Sequence, residues 1–100
     1  MMIIIPVASK DPDELAICPL EDRVSWMGIL LEGGTIKEQG FYDSLSTIPE
    51  LVDYVIVQHQ EEEVYAFQDE GIEVLVAYSQ RYIDDIIEAF IFKELHQLGA

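Results

Sequence analysis

The sequence predicts an α/β domain built on a mixed sheet of five strands, and three observations carry that prediction. The first is the run Met2-Ile3-Ile4-Ile5-Pro6-Val7, apolar throughout and too short for a helix. A strand without alternation has both faces covered, so this run is placed in the middle of a sheet. The second is Gly33-Gly34 between two strand-like runs, a hairpin signal. The third is the alternation of short apolar runs with helical periodicity over the second half of the chain, which gives helices packed on a partly parallel sheet.

Each element follows in order. Pro6 lacks a ladder donor, a cost that is tolerable near a strand end. Ala8 to Asp22 reads as an irregular loop punctuated by Pro12 and Pro19, with room for one short turn at Asp13-Glu14-Leu15. Val24 to Leu31 is a second strand, apolar on both faces. Thr35 to Tyr42 is a third, with Ile36 and Phe41 inward, Lys37 and Glu38 outward, and a bulge expected at Gly40. Being the most polar strand, it is assigned to the sheet edge. Between Asp43 and Leu51 a helix of about two turns fits, capped by Ser46 or Thr47 with Pro49 in its first turn. Tyr54 to Val57 is the fourth strand. Glu61 to Glu70 reads as a helix with acids at its N-terminus and Gly71 as C-cap. Ile72 to Ala77 is the fifth strand. Tyr82 to Leu98 is the last helix, with Ile83, Ile86, Ile87, Phe90 and Ile91 on one face.

The chain has 100 residues, enough for one domain, and half of them are hydrophobic, enough for a core. Its net charge of -15, from 20 acids against 5 bases, excludes a nucleic-acid footprint and repels anionic lipid. It suits a basic partner or a cation, or simply a solvated surface. A single cysteine, Cys18, precludes an internal disulfide and fits a reducing compartment, so the cytoplasm is expected. No apolar run approaches the roughly 18–20 residues of a membrane span.

Four stretches resemble the dinitrogenase iron–molybdenum cofactor accessory family, small proteins related to nitrogenase cofactor carriers. Ile3-Ile4-Ile5-Pro6-Val7 with Ser9-Lys10-Asp11 resembles the family's opening strand and loop. Cys18-Pro19-Leu20-Glu21-Asp22-Arg23 falls where the family reads Ser-Pro-x-Phe-Gly-Arg. Asp53-Tyr54-Val55-Ile56-Val57 is similar to the family's D-V-V-I-A strand. Glu70-Gly71-Ile72-Glu73-Val74 and Glu88 to Leu95 are similar to its A-G-I-K-V and E-A-F-L-N-G-E-L segments. The resemblance covers nearly the whole chain. It implies a ribonuclease H-like fold, no enzymatic activity, and a carrier that holds and hands on a metal–sulfur cluster of the iron–molybdenum type. The chain departs from the family in two loops. Glu21-Asp22 replaces Phe-Gly, and Gln58-His59-Gln60-Glu61-Glu62-Glu63 stands where the family has a glycine-rich loop. Glycine lets backbone N–H groups approach an anionic ligand, and a Glu triplet does the reverse.

The candidate site residues sit on loops at strand ends, where ligands gather in doubly covered sheets. Cys18 and His59 are the candidate metal ligands, a soft thiolate and an imidazole on two loops that can converge. Arg23, at the matched family position, can hold an anionic ligand or pair with Glu21, Asp22 or an acid across the sheet, and in a chain this acidic the ion pair is the better reading. Ser9, with Lys10 beside it, can offer a hydroxyl to the same ligand; a solvated turn is the plainer assignment. Glu61-Glu62-Glu63 lacks calcium-loop spacing and reads as an ordinary helix start. Nuclease chemistry is excluded, because Ile3 to Val7 supplies no carboxylate for a two-metal centre. Phe92 and Tyr65 point away from their helices' apolar faces, and Trp26 lies on a strand whose covering layer is thin. If the first helix is short, the sheet has an apolar patch for a protein partner or a second copy of the chain. A divergent member without cofactor, acting as a homodimeric interaction module, is the alternative function.

Overall fold

The computed structural model describes residues 1–11 and 15–98; the turn expected at Asp13-Glu14-Leu15 begins outside them. The sheet is mixed and open, and it has six strands rather than five: β1 (Met2–Val7), β2 (Ser25–Glu32), β3 (Thr35–Tyr42), β4 (Val52–Val57), β5 (Glu73–Val76) and β6 (His96–Leu98). Their spatial order is β3-β2-β1-β4-β5-β6. β1 lies between antiparallel β2 and parallel β4, β5 runs parallel to β4, and β6 is antiparallel to β5. The leading apolar run therefore takes an interior place, and β3 takes an edge.

Two cores flank the sheet, because alternate side chains of each strand face opposite sides. Ile3, Ile5 and Val7 join Met27, Ile29, Ile56 and Leu75 beneath α2 (Ile83–Ile91), whose Ile83, Ile86 and Ile87 are buried. Met2 and Ile4 join Trp26, Val55, Val57, Val74 and Val76 on the other side. That side is covered by α1 (Tyr65–Asp69), by Val64 and Ile72 at its ends, and by Leu45 and Ile48 around a single 3₁₀ turn.

Pro6 pairs with Trp26 on β2, beyond the stretch Met2 to Ile4 that is registered against β4, so its missing N–H breaks no parallel rung there. The β1–β4 register slips between Met2 and Ile3, and the carboxylate of Asp53 accepts the Met2 N–H at 2.9 Å at that slip. Gly33 and Gly34 turn the hairpin with φ of +59° and +78°. Gly28 pairs with Gly40, and the Tyr42 ring lies where a Cβ on Gly28 would fall, at 2.7 Å.

Several expected details are corrected. The β2–β3 bulge lies where Leu30 pairs Glu38 and Leu31 pairs Ile36, not at Gly40. Ile36 is exposed, as an outermost strand allows, while Phe41 packs on the core. The helix expected between Asp43 and Leu51 is the 3₁₀ turn Leu45–Thr47, with Ser44 at its N-cap and Pro49 beyond it. Glu61 to Glu70 shrinks to α1, because the chain before Tyr65 is diverted by Glu62, as described below. α2 stops at Ile91, where Lys93 turns the backbone to φ +59°, and His96–Leu98 leaves as β6. Trp26 is buried, its layer completed by Phe67 edge-on at 5.8 Å. Among the described residues no helix is long and apolar enough to cross a membrane.

Ile4 is fully buried between β2 and β4 and Leu51 is 91% exposed, so Ile4→Ala should cost about 2–5 kcal/mol and Leu51→Ala under about 0.5 kcal/mol. Urea unfolding of the two variants checks this; equal midpoints would contradict an interior β1.

Candidate functional site

The loop after β1 and the loop after β4 meet at one end of the sheet and enclose a cleft of about 740 Å³. Its lining includes Pro19, Leu20, Arg23, His59, Glu62 and Phe67, with Glu21, Glu61 and Glu63 adding carboxylates. Two of the expected site residues, Arg23 and His59, thus share a cleft. Cys18 lies beside it without lining it.

Glu62 organises this end. One carboxylate oxygen accepts the Leu20 N–H at 2.5 Å. The other accepts the N–H groups of Gln58 at 3.0 Å and His59 at 2.9 Å. A carboxylate here closes a nest of backbone donors from two loops, the arrangement that otherwise binds an anion. The Glu triplet is therefore not an ordinary helix start. Its signal in the sequence was an acid three and four residues beyond His59 and Gln58, the reach-back spacing of a capping box.

Cys18 is fixed by its own amide, which donates to the Pro6 carbonyl at 3.0 Å, and by the neighbouring Ile17–Val7 bridge. Its thiol is buried, with a pKa pushed up from 9.0 to about 11. Burial is the main cause; the Asp22 and Glu62 carboxylates add to it and the Arg23 guanidinium opposes it. The thiol is held protonated at physiological pH, and a metal ion would have to displace that proton to bind it.

Arg23 makes no ion pair among the described residues, contrary to the pairing expected with Glu21 or Asp22. Its guanidinium carbon sits 4.9 Å from the centroid of the Trp26 ring, and Nη1 donates to the Leu20 carbonyl at 3.1 Å. A planar, weakly hydrated cation stacks on an indole face in this way. His59 is exposed. The Ser9 hydroxyl accepts the Asp11 N–H at 3.0 Å in a local turn, and Lys10 pairs with Asp43 at 2.8 Å; neither Ser9 nor Lys10 lines the cleft. Among the described residues no group of three or more His, Cys, Asp or Glu side chains is arranged to hold a metal ion.

No family model matches the chain, and no curated protein matches it significantly. Solved structures do. A crystal structure described as a "putative dinitrogenase" from Methanocaldococcus jannaschii aligns with a TM-score of 0.77 at 18% identity, over 99% of this chain and 95% of that one. The solution structure of that protein aligns at 0.76 and 18%, over 100% and 94%. The crystal structure of PH0822 aligns at 0.74 and 18%, over 97% and 96%. At that identity the likeness is one of fold.

Two outcomes are expected. Cys18 should react with iodoacetamide slowly at pH 8 and faster only as pH climbs toward 11. Because the folded value is raised, the stability tied to this thiol is complete below about pH 9 and lost as pH rises toward 11. Rapid modification of the native protein at pH 8 would contradict the burial. Glu62→Ala strips an acceptor from the amides of Leu20, Gln58 and His59, and should destabilise by about 1–3 kcal/mol. Hydrogen exchange should speed up at those amides first.

Proposed function

We propose that this chain is a small, non-enzymatic accessory protein of the iron–molybdenum cofactor carrier type that has given up the cluster site and acts by protein contact. The observation that carries this reading is the Glu62 carboxylate seated on the amides of Leu20, Gln58 and His59. An anionic metal–sulfur cluster would need those donors, and the protein's own anion holds them. The rest of the donor set fits a cluster no better. The Cys18 thiol is buried and neutral, and four glutamates line the cleft. The strand order β3-β2-β1-β4-β5, with β2 antiparallel to β1, supports the ribonuclease H-like assignment, and β6 is an addition to it. The fold likeness to a protein described as a dinitrogenase supports the accessory role.

The contact surface of this reading is the end of α2, where Ile91 and Phe92 are 40% and 68% exposed side by side. The partner is a second copy of the chain, as in the homodimeric alternative. Mutual repulsion at a net charge of -15 per copy makes such a dimer salt-dependent.

Purification without oxygen, followed by incubation with iron, sulfide and molybdate, should leave neither retained metal nor visible absorbance; a stable chromophore would overturn the loss of the cluster site. Light scattering in screening salt should give a dimer that Phe92→Ser dissociates. A strict monomer, indifferent to that substitution, would remove the interface.

A further inference from the structure

At the other end of the sheet, a cavity of about 540 Å³ opens between the last turn of α2 and the β2–β3 hairpin. Its cause is geometric. A helix is about 10–12 Å across with its side chains, while six strands spaced at about 4.8 Å span some 24 Å. One short helix leaves part of that face open. Leu31, Leu75, Phe90 and Leu95 line the gap, and Tyr54 stands against Phe90 edge to face at 5.0 Å.

Lys93 belongs to the same lining and is held in an unusual way. α2 closes with a Schellman turn, in which the Lys93 N–H donates to the Phe90 carbonyl at 3.1 Å and the Glu94 N–H to the Ala89 carbonyl at 2.8 Å. That turn puts Lys93 at φ +59°, where glycine is the unstrained residue. A cation suits a helix C-terminus, but the preceding positions of the last turn would serve the dipole without strain. Charge is the second point. Lys10 and Lys37 are paired with Asp43 and Glu32, and Arg23 lies on Trp26. Lys93, like Arg81, has no ion pair among the described residues, and of the two it is Lys93 that lines the cavity. The carboxylate in the cavity lining, Glu73, accepts from Gln97 Nε2 on β6 at 3.3 Å.

We propose that this cavity binds a small amphipathic carboxylate, its hydrocarbon body against Leu31, Leu75 and Phe90 and its head on the Lys93 ammonium. The cavity adjoins the contact surface of the protein-contact function, since Ile91 belongs to both; Phe92→Ser, which tests that function, should leave decanoate binding unchanged. Decanoate, decanol and decylamine, each below its micellar concentration, separate the contributions of chain and head in an NMR titration of the full chain. Decanoate should move the amide signals of Leu31, Leu75, Phe90 and Lys93, and bind most tightly of the three. Lys93→Gly should keep or raise the melting temperature and weaken decanoate about tenfold, the loss of one charge-assisted contact; Lys93→Arg should keep the affinity. No shift at these amides, decylamine binding as well as decanoate, or unchanged decanoate affinity in Lys93→Gly would each overturn the proposal.

Discussion

The structure depends on β1 being apolar on both faces. Ile3, Ile4 and Ile5 are fully buried, and they divide between the two cores, as the side chains of β2, β4 and β5 do around them. A strand that serves two cores has no face left for water, so its neighbours on both sides are fixed as well. β2 closes one flank and β4 the other, and the loops that follow β1 and β4 are carried to one end of the sheet. The cleft exists because of this seating.

Much of this was legible in the residues, because strong hydrophobic patterns and glycine turns act locally. The interior strand, the Gly33-Gly34 turn, the edge position of β3 and the burial of Ile83, Ile86 and Ile87 on α2 follow from such patterns, whereas Ile91 of the expected apolar face is exposed. The parts that were not legible depend on contacts distant in sequence, or on a residue used against its preference. α2 was overextended because Lys93 ends it where glycine is the usual stop. β6 is three residues long, His96 to Leu98, and is a strand only through its partner β5. Arg23 was assigned an acidic partner in an acidic chain, but a buried indole offered its ring face nearby.

Glu62 shows how one side chain can satisfy the open amides of a loop end. Backbone amides at strand ends face outward with unmet donors, and a ligand, a water or a side chain must satisfy them. In this chain the acceptor is covalently attached, so it is present at very high effective concentration and needs no partner. The same carboxylate ties the loop after β4 to the loop after β1. Satisfied amides and two loops tied together are both results of a single residue.

The two rims of the sheet differ in length, but both are guarded. β3 presents Thr35, Ile36, Lys37, Glu38 and Gln39 to solvent, with charges beside the exposed Ile36, and β6 offers only three residues. Neither is a good template for a strand from another molecule. The hazard lies inside: Met2 to Val7 carries no charge and is rich in β-branched side chains. Pro6 is the residue of that segment that works against stacking once native packing is lost, so the proline that β1 tolerates near its end also guards the unfolded chain against cross-β assembly.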